Sequence, residues 1–157
     1  MARAHILQCY STAIVIDYYW DWVNLSLFIR KYVKVLFVCV GNTCRSQMAE
    51  AICKSLGHSA DSAGTHPGRE VNQNAIRVLE EKGIGSSGLR PKSIDDIVTD
   101  GYDKIISMGC GVHCPNLPID YDWGLDDPHG KSIEIYRSTR DSIIELLSDL
   151  IEKETDA

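Results

Sequence analysis

The sequence predicts an α/β fold in which a parallel sheet carries helices on both faces. Residues 33–38 form an apolar run typical of a buried strand, and a helical pattern follows at 47–52. A second apolar run at 102–108, which contains Ile105 and Ile106, has the same character. Strands that alternate with helical segments form parallel sheets, which bind their ligands at the carboxyl ends of the strands.

The elements between these landmarks continue the alternation. Residues 59–64 predict a short second strand, after a first helix that ends near Gly57. A Gly/Ser-rich turn at 85–88 precedes a shorter helical piece at 93–98. Apolar residues at helical spacing predict two further helices. The first has its apolar face at Val71, Ala75, Val78 and Leu79 and a C-terminal cap at Gly83. The second is the long last helix, with its apolar face at Tyr136, Ile143, Leu147, Leu150 and Ile151.

Composition indicates one ordinary globular domain and excludes several functions. The 157 residues are 44% hydrophobic and 24% charged, as in soluble proteins with a sizeable core. The net charge of −6 argues against nucleic acid or an anionic membrane as a partner, so an anionic ligand has to be captured by local geometry. The placement of the six cysteines fits a reducing cytoplasm better than disulfide stapling.

The first 32 residues differ from the rest of the chain. They hold seven of the twelve aromatic residues, and the apolar stretch at 13–29 contains Asp17 and Asp21. Two carboxylates near its centre argue against a membrane span, and the lack of a small-residue cleavage site argues against a signal peptide. We therefore divide the chain into an N-terminal extension at 1–32 and a domain at 33–157. The extension is either an added amphipathic segment or the product of an upstream start site.

The segment between the first strand and the first helix carries the chemistry. Residues 39–46 are Cys-Val-Gly-Asn-Thr-Cys-Arg-Ser. A loop at a helix N-terminus can turn several N–H groups towards one point, and the helix dipole adds to the attraction for an anion. The residues expected to bind an oxyanion are Val40, Gly41, Asn42, Thr43, Cys44, Arg45 and Ser46.

Within this loop Cys39 is the predicted nucleophile. The field of the helix lowers the pKa of a nearby thiol, so Cys39 should be a thiolate near neutral pH. Arg45 offers a planar fork to two oxygens of a tetrahedral anion, which lysine cannot match. Gly41 allows a tight turn, and Asn42 tolerates left-handed backbone angles. The alternative, that Cys39 is a small buried residue ending a strand, is less favoured because of the Gly, Asn, Arg and Ser around it.

The stretch from Val35 to Ala51, VLFVCVGNTCRSQMAEA, resembles the signature of the low-molecular-weight protein tyrosine phosphatase superfamily. That superfamily includes the thioredoxin-coupled arsenate reductases. The resemblance continues through residues 62–65, 72–75 and 126–128 to the final helix, and so covers most of the chain. It implies an open parallel four-stranded sheet flanked by helices on both faces.

The sequence Asp126-Asp127-Pro128 contains the candidate general acid. In the resembled phosphatases the aspartate before the proline protonates the leaving oxygen, so the resemblance assigns this role to Asp127. A placed proton donor contributes about 10²–10⁴-fold to the rate. Pro128 would stiffen the loop. The alternative is a turn with two solvated carboxylates.

A pair of cysteines, Cys110 and Cys114, favours one of the two chemistries of the superfamily. The resembled arsenate reductases carry two cysteines in this region, and their loop continues as residues 45–50 do. The phosphatases more often have proline at the position of Gln47 and aromatic residues where His129 and Gly130 stand. We therefore expect a thiol-dependent arsenate reductase, with a low-molecular-weight protein tyrosine phosphatase as the alternative.

The resemblance implies a relay of thiols without a bound cofactor or metal. Cys39 attacks arsenate, Cys110 then forms a disulfide with Cys39, and Cys114 takes over that disulfide for reduction by thioredoxin or a similar dithiol. The three-residue spacing of Cys110 and Cys114 is closer than in many such pairs. Two other interpretations remain open: the pair binds zinc together with His113, or both are plain buried thiols.

Overall fold

The computed structural model describes residues 32–109 and 117–156. The predicted N-terminal extension therefore lies outside the described residues, except for Tyr32. Each of the predicted elements from 33 onwards has a counterpart. In chain order they are β1 (Lys34–Cys39), α1 (Arg45–Ser55), β2 (Ser59–Gly64), α2 (Gln73–Glu80), a 3₁₀ helix (Ile94–Asp96), β3 (Lys104–Ser107), β4 (Tyr121–Asp122) and α3 (Ile133–Asp156).

The four strands form one parallel sheet in the order β2-β1-β3-β4. Strand β1 is central, and its last residue, Cys39, is paired with Gly64 at the end of β2. On its other side Val38 is paired with Ser107, the last residue of β3. The carboxyl ends of three strands thus meet at one edge, which is where a parallel sheet places its ligand.

Alternate side chains of β1 point into two separate cores. Phe37 and Cys39 face a large core that also contains side chains of α1, α2 and α3. Leu36 and Val38 face a smaller core, which is covered by Ile94, Ile97, Leu117 and Ile119. All three α-helices of the described residues therefore share one face, and the 3₁₀ helix covers the other. The predicted fold class is confirmed.

One helix differs in extent from its prediction, and one strand was not located in the sequence. Helix α1 begins at Arg45, because the loop leads directly into the first turn, and its residues 45–53 are all buried. This helix is packed between the sheet and α3, so it lacks the polar face that sequence patterns detect. The two-residue strand β4 is exposed and too short for any periodicity.

Within the described residues, no helix combines the length and the apolar character needed to cross a membrane. Of the helices described, α3 is the longest, with 24 residues, and it packs on the core through Tyr136, Ile143, Leu147 and Leu150.

Because the thiol of Cys53 is buried, we expect the protein to lose stability at alkaline pH. Burial raises the pKa of this thiol from 9.0 to about 12. Because the folded chain holds the proton more tightly, this contribution to stability is fully present below pH 9 and is lost as the pH rises towards 12. The free energy of unfolding should fall over this window by at most about 4 kcal/mol on account of Cys53.

Urea denaturation between pH 8 and 12 checks this expectation, with Cys53→Ala as the comparison. The variant should be less stable at pH 8, because it leaves a small cavity, but should lose less stability with rising pH. Tyr102 and Tyr136, whose pKa values are also raised by burial, are present in both proteins, so the difference isolates Cys53. Parallel curves for the two proteins would contradict the prediction.

Candidate active site

The loop between β1 and α1 is held by hydrogen bonds to its carbonyl groups. The N–H groups of Thr65, His66, Gly68 and Asn72 donate to the carbonyls of Cys39, Val40, Gly41 and Thr43, at 3.2, 2.9, 2.8 and 2.9 Å. In a planar trans peptide the N–H points away from the carbonyl. Because the carbonyls face the segment 65–72, the amides of the loop are directed to the opposite side. This is the arrangement of an anion-binding nest.

Cys39 lies at the carboxyl end of β1 and is almost fully buried. Its Sγ accepts a hydrogen bond from the backbone N–H of Asn42 at 3.1 Å and lies 2.9 Å from Ser46 Oγ. Hydrogen bonds to the sulfur favour a charged thiolate over a neutral thiol. The surroundings of Cys39 are therefore those of a nucleophile rather than of a purely apolar core residue.

Asn42 shapes the loop. It is the one non-glycine residue with positive φ in the described part of the chain, at 48°, as its sequence context predicts. Its fully buried side chain donates to Ser46 Oγ and to Ser62 Oγ, both at 2.8 Å. Gln47 Nε2 contacts the backbone oxygen and Oδ1 of Asn42, each at 3.0 Å. These contacts hold the strained conformation in place.

Arg45 points its guanidinium into the same edge of the sheet. Its Nη1 donates to the carbonyl oxygens of Met108, at 3.2 Å, and Leu125, at 2.6 Å. Its Nη2 lies 3.3 Å from Asp127 Oδ2. The two backbone contacts fix the plane of the fork, which leaves the remaining N–H groups available for an oxyanion.

The structure places Asp127 beside Arg45, whereas Asp126 has no such contact among the described residues. The Asp127 side chain is 56% exposed, and its Oδ1 accepts a hydrogen bond from the N–H of His129 at 3.2 Å. Pro128 is buried next to it and anchors this turn. The carboxyl group is thus held at the mouth of the loop, as a general acid requires.

Cys44 is a second thiol in the loop, at the start of α1. Its Sγ lies 3.5 Å from Tyr136 Oη and 3.9 Å from His129 Nδ1. Burial raises the pKa of the Cys44 thiol, although hydrogen bonds with Thr43 and Tyr136 partly offset this effect. Cys44 is therefore a neutral thiol at physiological pH, in contrast to the role expected for Cys39.

The structure places Cys39, the loop residues 40–46 and Asp127 at one edge of the sheet, and their catalytic and oxyanion-binding roles stay predictions. Cys110 and Cys114, together with His113, lie outside the described residues, so the relay and the zinc interpretation both stay untested predictions. In residues 32–109 and 117–156 no group of three potential metal ligands is found.

Sequence reasoning assigned no role to three polar residues that support the loop, Glu50, Ser62 and Lys92. Ser62 donates to Glu50 Oε2 at 2.6 Å, and Lys92 Nζ lies 3.2 Å from the same oxygen. Glu50 and Ser62 lie within the motifs quoted above, but the sequence does not show that the carboxylate of Glu50 is buried. Burial of this carboxylate is the signal that would have indicated a supporting role. Nothing in the sequence around Lys92 indicates a link to the loop.

A cavity of about 420 Å³ opens beside the loop. Thr43 and His129 lie on its wall together with the segment 68–74. The one ring on its wall is the imidazole of His129, and neither Cys39 nor Arg45 lines it.

The parallel sheet, the anion loop with its cysteine and arginine, and the nearby aspartate define a class of protein. The family described as low molecular weight phosphotyrosine protein phosphatase matches residues 34–156, and the chain belongs to this family. The predictions of family and fold are thereby confirmed.

Within this family the chain is similar to several arsenate reductases. It is 42% identical over 128 residues to the glutaredoxin arsenate reductase of Synechocystis sp., which covers 76% of this chain and 97% of that protein. An arsenate reductase of Staphylococcus aureus is 35% identical, over 69% of this chain and 88% of its own length.

The chain is also similar to solved structures of arsenate reductases and of a phosphatase. An arsenate reductase in the phosphate binding state is 42% identical, with a TM-score of 0.71, over 77% of this chain and 98% of that chain. An arginine phosphatase from Geobacillus stearothermophilus is 30% identical, with a TM-score of 0.67, over 77% of this chain and 92% of that chain. The fold thus serves both oxyanion chemistries.

Gly64 provides a test of the loop geometry. A Cβ at this position would lie 2.5 Å from the carbonyl oxygen of Val40 and 2.9 Å from Asn42 Cβ, so Gly64→Ala must push the loop away from β2. We expect the free energy of unfolding to fall by about 1–3 kcal/mol. The affinity for phosphate, measured by its protection of Cys39 against alkylation, should fall at least about tenfold because the amides no longer converge.

Gly85→Ala is the matched control for this variant. No atom lies within 4 Å of the added methyl group at that position, and its φ is not positive. It should change stability by no more than about 0.5 kcal/mol and leave phosphate affinity unchanged. Wild-type phosphate affinity in Gly64→Ala would show that the loop does not depend on its packing against β2.

Proposed function

We propose that this chain is an arsenate reductase that uses Cys39 as its nucleophile. The observation that carries the proposal is the constrained loop at the carboxyl edge of the sheet, which lies between Cys39 and Arg45 and has Asp127 beside Arg45. It is supported by the 42% identity to the glutaredoxin arsenate reductase of Synechocystis sp., which extends over almost all of that protein.

The first step is attack of the Cys39 thiolate on arsenic. Arsenate occupies the loop, with its oxygens on the backbone amides and on the guanidinium of Arg45. As the bond between Sγ and arsenic forms, one arsenic–oxygen bond breaks. A protonated Asp127 gives its proton to the leaving oxygen, which departs as water.

The second step reduces arsenic. Cys110 attacks Sγ of Cys39, and the electron pair of the sulfur–arsenic bond passes to arsenic, which leaves as arsenite. The two thiols become a Cys39–Cys110 disulfide, so two electrons have moved from sulfur to arsenic. Cys114 then attacks Cys110 and takes over the disulfide.

An external dithiol protein of the thioredoxin or glutaredoxin class restores the enzyme. The Synechocystis relative is a glutaredoxin arsenate reductase, which favours glutaredoxin as the donor. Because such donors work in a reducing compartment, we place the protein in the cytoplasm.

Phosphomonoester hydrolysis is the second candidate function. The observation that favours it is that Cys39, Arg45 and Asp127 suffice for a phosphocysteine mechanism, and the arginine phosphatase neighbour shares the fold. Gln47, His129 and Gly130, however, stand where the resembled phosphatases more often have proline and aromatic residues.

Serine substitutions in the cysteine pair separate the two functions. Cys110→Ser and Cys114→Ser should reduce multiple-turnover arsenate reduction to background, because the disulfide can no longer be formed or passed on. Hydrolysis of p-nitrophenyl phosphate needs neither thiol and should stay near the wild-type rate. Arsenate-dependent oxidation of thioredoxin and of glutaredoxin, and release of p-nitrophenol, are measured on the same preparations.

Cys39→Ser is the control, since it should lose both activities while the fold persists. Full arsenate turnover in both relay variants would contradict the relay. A wild-type protein that hydrolyses the aryl ester but shows no arsenate turnover with either donor would establish the phosphatase function instead.

A further inference from the structure

A continuous chain of hydrogen bonds connects Lys92 with Cys39 through buried side chains. Its members, in order, are Lys92, Glu50, Ser62, Asn42, Ser46 and Cys39. They come from β1, from the loop, from α1, from β2 and from the segment between α2 and the 3₁₀ helix. The direction of each hydrogen bond follows from the number of protons that each group carries.

The amide of Asn42 is the centre of this chain. Its Nδ2 has two protons, and both are used, one on Ser46 Oγ and one on Ser62 Oγ. Its Oδ1 accepts from the backbone N–H of Lys92 at 2.8 Å and from Gln47 Nε2. Four contacts therefore fix which way the amide faces.

The orientation of the Asn42 amide fixes the direction of the hydrogen bonds that the two serines make. Because Ser46 Oγ accepts from Asn42, its own proton is free to point to Cys39 Sγ, 2.9 Å away. Ser62 Oγ accepts from Asn42 in the same way and gives its proton to Glu50 Oε2. The chain thus runs outward from Asn42 in both directions, with Ser46 as the donor to Cys39 and Ser62 as the donor to Glu50.

An ionised carboxylate has no proton to donate, so as an anion Glu50 acts purely as an acceptor. The residue is nearly inaccessible to water, with 2% exposure. Two ammonium groups compensate its charge. Lys54 contacts Oε1 at 2.6 Å from a half-exposed position, and Lys92 contacts Oε2 at 3.2 Å with only 20% of its side chain exposed. The carbonyl of Lys92 is anchored by the N–H of Gly64 at 2.9 Å.

We propose that Lys92 is a positioning residue that keeps the Ser46 proton directed at Cys39. Its ammonium holds the charge on the Glu50 oxygen that Ser62 uses, and its backbone N–H holds Asn42 Oδ1. Without the ammonium, Glu50 Oε2 loses the cation that lies 3.2 Å away, so the hydrogen bond from Ser62 to this oxygen weakens and Ser62 holds Asn42 Nδ2 less firmly. The amide of Asn42 is then less well oriented, and so is the hydrogen bond from Ser46 to Cys39.

This inference rests on the proposed role of Cys39 as nucleophile, but not on arsenate as the substrate. The charged and titratable groups that face the chain or the mouth of the loop are Glu50, Lys54, Asp61, Lys92, Tyr102, Cys44, Arg45, Asp127, His129 and Tyr136.

The test is the pH dependence of Cys39 alkylation by iodoacetamide in the full chain, followed by peptide mass spectrometry. Lys92→Met removes the ammonium but keeps the backbone and a similar length. Its alkylation midpoint should rise by about one pH unit, a tenfold loss of thiolate near neutral pH. Lys92→Arg keeps a cation near Glu50 and should restore most of the wild-type midpoint.

Lys54→Met is the matched control. It removes the same charge from the same carboxylate, but from the oxygen that Ser62 does not use. Its midpoint should stay close to the wild-type value. Urea denaturation of each variant establishes that the proteins compared are folded, and Lys92→Gln takes the place of Lys92→Met if the latter does not fold.

An unchanged midpoint in the Lys92 variants would overturn the inference, as would an equal shift in Lys54→Met, which would indicate a general charge effect. If Cys39 of the wild-type protein reacts no faster at neutral pH than an ordinary thiol, its role as the nucleophile is refuted, and with it the proposed function.

Discussion

The hydrogen bonds from the segment 65–72 to the carbonyls of the β1–α1 loop are the constraint on which the site depends. A short loop of polar backbone groups could equally present oxygens or amides to its centre. Because four carbonyls accept hydrogen bonds from the segment 65–72, the amides of the loop are directed to the opposite side, where Cys39 Sγ lies. The fold contributes to this in two ways: parallel pairing brings the end of β2 against the end of β1, and Gly64 allows the close approach.

Local electrostatics explains how a chain with a net charge of −6 can hold an anion. Arg45 is buried and oriented by two backbone carbonyls, so it offers a fixed positive charge in a region from which water is largely excluded. Its partner Asp127 is more than half exposed, and ion pairs of exposed groups contribute little. An oxyanion can therefore take its place on Arg45, while Asp127 stays near enough to give up a proton.

Much of this arrangement could be predicted from the sequence, because it resides in local patterns. The strand before Cys39, the loop residues and the apolar face of α2 are contiguous or regularly spaced. Glu50 and Lys92 could not be linked, since 42 residues separate them and they meet because the segment at 92–93 pairs with Gly64 at the end of β2. The extent of α1 was also hidden, because a helix buried on all sides has no polar face to reveal its period.

The central claim is that the amides of the loop, and not only Arg45, bind the oxyanion. The most direct measurement is an NMR titration of the ¹⁵N-labelled protein with inorganic phosphate. The account predicts that the backbone amide resonances of residues 40–46 shift downfield with one common affinity. The amides of Thr65, His66, Gly68 and Asn72, which are committed to the loop carbonyls, should change little. A titration that moves the amides of the segment 65–74 but leaves residues 40–46 unchanged would contradict the account.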